Sequence, residues 1–351
     1  MERRELTVMG GTAAVVALAA VLHFSAATPL LAFAAAALAL GGIAHLIGEA
    51  TDHLGNHLSP AATGIVQSAV GNLPELFVCI FALRAGLVTV VQASLIGSIL
   101  GNALLVLGLA FIAGGWKHKV LRFGGRTPRM IATLLMLAVA ALVLPTLAQQ
   151  LHLPAGEHEQ ALSIVCALAL LFVFAVMTRA MLGESQRSVP AEARARAHVW
   201  PLRSAIIVLA ACGAAAAFVS DWFVEALAPA IETLGISQAF AGLVLVAIAG
   251  NAVENVVGIQ LAWRGKAELA VSVVLNSALQ VAVALVPILV LVSYFLGGAA
   301  FTLAIPPILA AAVFLAVLVV TIVTVDGEAD IVDGAALVGL YVIIATIFWW
   351  G

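Results

Sequence analysis

The chain has 351 residues, of which 64% are hydrophobic and only 9% charged, against about 25% charged in ordinary soluble domains. That composition excludes a water-soluble globular fold and predicts an all-α integral membrane protein. A net charge of −3, with basic residues forming no continuous face, excludes nucleic acid as a partner, and three widely spaced cysteines in apolar stretches (Cys79, Cys166, Cys212) suggest neither a disulfide framework nor a zinc motif.

A membrane span needs about 20 apolar residues. Eleven stretches qualify: 6–24, 29–48, 60–83, 89–114, 128–148, 160–181, 202–220, 237–263, 268–296, 302–325 and 332–350. With the N-terminus cytoplasmic, fourteen of the fifteen Lys and Arg fall on the cytoplasmic side, and only Arg84 falls outside. This is the positive-inside pattern, which one missing or extra helix would scramble. The first span (domain 1–25) has a basic start and a small-residue stretch, Ser25-Ala26-Ala27, resembling a signal peptide. An uncleaved anchor is expected instead, and removing it would leave the orientation of the other ten spans unchanged.

The third span carries Gly71-Asn72-Leu73-Pro74-Glu75, and the eighth carries Gly250-Asn251-Ala252-Val253-Glu254. At this constant offset of 179 residues, Val78/Val257, Ser98/Ser277, Leu100/Leu279 and Ala103/Ala282 also coincide. The basic, Pro190-containing stretch 182–201 divides the chain into a first repeat, 29–181, and a second, 202–350. Five spans in each half force the second copy to enter from the opposite face, giving an inverted repeat with its ligand site near the midplane, where helices are interrupted. The glycines and Pro74 are expected to supply the interruption in the first repeat, and Gly250 with Asn251 in the second, where Val253 replaces the proline.

A carboxylate at membrane depth costs roughly 2.5–3.5 kcal/mol on insertion scales, so two at matching repeat positions point to a cation or proton site. Glu75 and Glu254, with the amide oxygens of Asn72 and Asn251 and freed backbone carbonyls, offer hard oxygen ligands and no thiolate or imidazole. That set suits calcium better than magnesium, zinc or copper; ligand type alone leaves sodium as well. Paired carboxylates also bind protons, so a proton and a divalent ion compete for the same oxygens.

The first phrase, followed by Val91-Gln92-Ala93-Ser94-Leu95-Ile96-Gly97-Ser98-Ile99-Leu100-Gly101-Asn102, resembles the first repeat of the calcium/proton exchangers of the calcium:cation antiporter superfamily. The second phrase, with Asn276-Ser277-Ala278-Leu279-Gln280, resembles their second repeat, and the likeness spans essentially the whole chain. The resemblance implies export of cytosolic Ca2+ in exchange for H+, with Glu75 and Glu254 as ligands and proton carriers and Gln92, Ser98, Ser277 and Gln280 along the ion path. Two positions depart from that pattern: Asn255 stands where the family has a histidine, and Asn276 where it has a glycine. Asn255 would also line the ion path, without titrating near neutral pH.

Small residues around the serines, with Gly97, Gly101 and Gly108, equally suit close helix packing. Glu49, Asp52, His53 and His57, and the acidic group Asp326, Glu328, Asp330 and Asp333, are expected to be solvated loops, with a role at the inner mouth as the alternative. No intramembrane-enzyme signature is present: no His-Glu-x-x-His helix and no aspartate deep in a span. A sodium-coupled or broader cation (Mn2+, Na+)/H+ exchanger and a passive cation channel are the alternatives. The partners expected are Ca2+, H+ and the lipid bilayer of a prokaryotic inner membrane, with no cofactor; the sequence sets no oligomeric state.

Overall fold

The computed structural model describes residues 3–25, 28–58, 70–124, 126–185, 200–297 and 300–350, excluding the side chains of 3, 4, 126, 127, 180–185 and 252–254. In chain order the helices are α1 (Arg3–Phe24), α2 (Pro29–Gly55), α3 (Leu73–Arg84), α4 (Val88–Leu100), α5 (Leu107–His118), α6 (Arg126–Gln150), α7 (Glu159–Ser185), α8 (Leu202–Leu234), α9 (Gln238–Phe240), α10 (Ala247–Gly250), α11 (Ala252–Trp263), α12 (Ala267–Gln280), α13 (Val286–Ser293), α14 (Pro307–Thr324) and α15 (Ile331–Trp349). Three π-helical stretches, Gly101–Val106, Ala241–Val246 and Val281–Leu285, join helices without ending the spans. The one sheet among the described residues is a two-residue antiparallel bridge, β1 (Leu121–Arg122) with β2 (Glu328–Ala329).

Among the described residues nine helical runs are long and apolar enough to cross a membrane, and ten if Gln238–Gly250 and Asn255–Trp263, bent by 64°, count as one span. Of the remaining expected span, 60–83, residues 59–69 lie outside the described residues and α3 is the part seen. The linker residues 186–199 also lie outside them, as do Ala26 and Ala27. Large apolar side chains such as Leu38, Phe172 and Phe218 are exposed. In lipid this costs nothing, because acyl chains are as apolar as the side chains.

The sequence repeat reappears in the backbone. The ends of α3 and α11 fall 179 residues apart at both termini, and the π-helical stretches Gly101–Val106 and Val281–Leu285 end at the same offset. An extra residue per turn in a helix is costly unless something uses it, and such bulges cluster at functional sites. By packing, the chain divides into two compact units that each draw on both halves of the sequence: residues 1–85 with 172–235, and residues 86–171 with 236–351.

In the first unit α2 runs against α8, with the rings of Phe33 and Phe223 4.7 Å apart. Two helices are longer than expected. α2 continues to Gly55, so Glu49, Asp52 and His53 lie on a helix rather than in a loop. α8 continues to Leu234 past Pro229, ending on Gly235 in the left-handed conformation that glycine tolerates. The indole of the fully buried Trp200 stacks on His53 at 4.4 Å and donates to Glu5 (2.9 Å), and its carbonyl meets the His57 ring at 2.7 Å. His53 is thereby packed against Trp200, while His57, itself exposed, is tied to the Trp200 carbonyl.

In the second unit α4 crosses the stretch Ala241–Val246 with almost no clearance. A Cβ on Gly97 would sit 2.2 Å from the Leu243 carbonyl oxygen, and one on Gly242 would sit 2.4 Å from that of Val90. Gly108 and Gly334 bring α5 and α15 together in the same way. In the acidic group near residue 330, Asp326 and Glu328 are exposed, as a solvated loop requires, while Asp330 and Asp333 are half-buried. Asp330 and Asp333 form a capping box at the start of α15, and Glu328 pairs with Arg122 at 3.1 Å. Adding a methyl at the tightest crossing should be expensive: Gly97→Ala or Gly242→Ala is expected to destabilise by about 1–3 kcal/mol, seen as a lowered Tm in detergent. Gly101→Ala, where nothing lies within 4 Å, should leave Tm unchanged or slightly raised.

Candidate ion-binding site

Both repeat phrases interrupt their helices at the asparagine. Asn72 has φ −94°, ψ 11° and Asn251 φ −110°, ψ 21°, in the sparsely populated bridge region that active-site residues favour. In the first repeat the break falls at Asn72 rather than at the glycine and Pro74 expected to open it, and in the second it falls at Asn251, one of the two residues expected there. Pro74 lies in the first turn of α3, where an amide has no intrahelical partner and its loss costs little. Val253 is equally compatible there, so the second repeat needs no proline. After each break the helix restarts on the asparagine carbonyl, which accepts from Leu76 N at 2.9 Å in one repeat and from Asn255 N at 3.1 Å in the other.

The consequence is that each repeat glutamate falls in the first turn of a helix, whose N-terminal end favours negative charge. Glu75 is 4% exposed. In its unit the carbonyl of Pro74, next to it, accepts from the Ser220 hydroxyl at 3.5 Å. Glu254 holds the same backbone position in α11; its side chain lies outside the described residues.

Three polar side chains meet in the second unit. Asn251 Nδ2 donates to Ser98 Oγ (2.9 Å) and to the Ala247 carbonyl (2.9 Å), while Asn102 Nδ2 donates to Asn251 Oδ1 (3.2 Å) and to the Ser98 carbonyl (3.0 Å). All three are buried. They line, with Asn255 and Gly101, a cavity of about 10 Å3, room for one water-sized sphere. The structure therefore brings together Ser98 of the first repeat with Asn251 and Asn255 of the second. Asn102 is an addition to the residues expected from sequence. It is 1% exposed, and its Oδ1 has no hydrogen-bond partner among the described residues. A buried amide oxygen without a donor is a ready ligand for a hard cation. Its signal in the sequence is its position four residues after Ser98, hence on the same helical face.

Gln92 Nε2 donates to the Ala304 carbonyl at 3.1 Å. Ser277 is buried within α12, and Gln280, half-buried, ends that helix where the π-helical stretch begins. Asn276 Oδ1 is buried without a partner among the described residues. Asn72 is half-buried at its break. Among the described residues no three His, Cys, Asp or Glu side chains form a resident metal centre.

The sodium/calcium exchanger protein family matches residues 28–183 and 204–350. The chain belongs to this family. Its relatives include the Ca2+/H+ antiporter of Synechocystis sp., 33% identical over 90% of this chain and 90% of that protein, and the Ca2+/H+ antiporter ChaA of Bacillus subtilis, 33% identical over 90% and 91%. The solved structure of native YfkE superposes with a TM-score of 0.81 at 30% identity, covering 97% of this chain and 99% of that one. Within the exchanger family, then, the chain falls in the branch of the Ca2+/H+ antiporters. Membership makes it a transporter, not an enzyme.

Asn251→Ala removes the bonds of that amide to Ser98 Oγ, to the Ala247 carbonyl and to Asn102 Nδ2, which keeps its bond to the Ser98 carbonyl. It is expected to cost about 1–3 kcal/mol, read as a Tm shift, whereas Asn255→Ala, beside the network, should leave Tm nearly unchanged.

Proposed function

We propose that this exchanger exports cytosolic Ca2+ in exchange for H+ by alternating access, with Glu75 and Glu254 as the groups that carry ion and proton in turn. The observation that carries this reading is the buried carboxylate of Glu75 in the first turn of an interrupted helix, with Glu254 at the matching backbone position 179 residues later. Relatives at 33% identity over nine-tenths of the chain are Ca2+/H+ antiporters.

The chemistry comes from the donor set. Deprotonated carboxylates and the amide oxygens of Asn72, Asn251 and Asn102 are hard ligands, and calcium accepts six to eight such oxygens in flexible geometry where magnesium demands a tight octahedron. A carboxylate holding a proton has lost the charge that attracts calcium, so the two loads exclude each other and one leg of the cycle carries Ca2+ while the other carries H+. Ser98 and Asn255 line the path beside this set, with Ser277, Gln92 and Gln280 as further lining residues. The expected layout is eleven crossings with a cytoplasmic N-terminus, an N-terminal helix over 1–25, and inverted repeats over 29–181 and 202–350. It rests on the lysine and arginine distribution, and the proposed location is a prokaryotic inner membrane.

A broader cation exchanger or a sodium-coupled one is the second reading, favoured by Asn255. It lines the same cavity as Asn251 and gives that site no titratable imidazole. Calcium uptake by inverted vesicles energised with a proton gradient, challenged with Mn2+, Mg2+ and Na+, separates the two. Gradient-driven uptake is expected in wild type and its loss in Glu75→Gln and Glu254→Gln, with both variants still folded. Retained exchange in both variants would refute the assignment, and uptake indifferent to the proton gradient would favour the sodium-coupled reading or a channel.

A further inference from the structure

The segment Phe301–Pro306, apolar enough to begin a span, is not helical; α14 begins only at Pro307. Phe301, Leu303 and Ile305 are buried while Thr302 and Ala304 between them are less so, the period-two alternation of an extended chain. No second strand pairs with it among the described residues. Side-chain hydroxyls from three helices take the place of a ladder. Ser293 Oγ accepts from Phe301 N (2.9 Å), Ser163 Oγ accepts from Leu303 N (2.9 Å), and Thr146 Oγ1 accepts from Ile305 N (3.1 Å). The Thr302 hydroxyl donates to Glu159. Ser163, Thr146 and Ser293 are themselves buried. Non-helical backbone inside a membrane protein must find such partners or lose several kcal/mol per group, and here every alternate amide is caught.

One carbonyl of this strap is used differently. Ala304 O accepts from Gln92 Nε2 at 3.1 Å. A backbone carbonyl is only an acceptor, so it selects the NH2 end of the glutamine amide and turns Oε1 away from the strap. Had a donor stood there, the amide would be reversed, turning its NH2, which repels a cation, away from the strap instead of its oxygen.

We infer that the Phe301–Ile305 strap is a positioning device for the transport reaction: Thr146 and Ser163 hold the strap, the strap holds Gln92, and Gln92 thereby offers an amide oxygen to the ion. The inference rests on the proposed reading of the protein as a cation exchanger. Thr146 and Ser163 are positioning residues, since they touch the ion only through Gln92. Their substitution should change how tightly the cation is held more than how fast the cycle turns.

The test is the calcium concentration dependence of proton-gradient-driven uptake in inverted vesicles. Thr146→Val and Ser163→Ala are expected to raise KM about 2- to 10-fold, the scale of one neutral hydrogen bond, with the maximal rate little changed, while Thr146→Ser behaves as wild type. In a Gln92→Ala background neither strap substitution should raise KM further. Unchanged KM in the strap variants alongside a raised KM in Gln92→Ala would overturn the inference. So would strap effects that add fully to Gln92→Ala, or that lower only Tm and maximal rate. Should Thr146→Val fail to fold, Ser163→Ala reads the neighbouring anchor independently. Failure of the exchanger reading is distinct: wild type would then show no gradient-driven uptake at all.

Discussion

In a bilayer the backbone must satisfy its own polar groups, and this molecule interrupts helices nonetheless. The interruption at Asn251 shows how it stays tolerable. The side chain at the break donates to the carbonyl four residues back, which keeps the preceding helix end occupied, and to Ser98 on another helix, which fixes the break in place. An alanine at that position would remove both side-chain bonds and keep only the backbone amide's bond to the Ala247 carbonyl, and a glycine would add freedom without a donor. Asparagine supplies both the bridge-region backbone and the hydrogen bonds. Once the helix has been broken, the next one starts afresh, and the glutamate lies in its first turn, at the positive pole of the helix dipole.

The same constraint explains the features around the break. Gly97 and Gly242 let two backbones approach so closely that Ser98 reaches Asn251. The π-helical stretch beginning at Gly101 rotates the downstream turns of the span relative to an ideal helix and contains Asn102, whose amide joins the network. The strap at Phe301–Ile305 is a third solution, an extended segment whose ladder is made of hydroxyls. In each case a small or hydroxyl-bearing residue within an otherwise apolar helix carries the irregularity.

Much of this is written plainly in the sequence. The apolar spans come from composition, and the repeat phrase comes from simple alignment at one offset, because both copies keep the asparagine and the glutamate. The features that escape sequence reading are local and conformational. Propensity puts the first break at glycine and proline, yet it falls at Asn72, while in the second repeat Asn251, expected there with Gly250, is held by tertiary hydrogen bonds. Asn102 sits inside the first repeat motif without standing out, since its role depends on a neighbour 149 residues away. The strap looks like the start of a span because Phe301, Leu303 and Ile305 are apolar; only the hydroxyls of distant helices make it extended. The acidic group at 326–333 reads as a solvated loop in sequence, but Asp330 and Asp333 cap a helix.

The proposal that ion and proton alternate on the repeat glutamates is tested most directly by calorimetric titration of Ca2+ into the purified protein in two buffers of different ionisation enthalpy. Calcium binding should release protons to the buffer, and the release should fall in Glu75→Gln and in Glu254→Gln. Calcium binding of undiminished affinity with no proton release in the wild-type protein would contradict it.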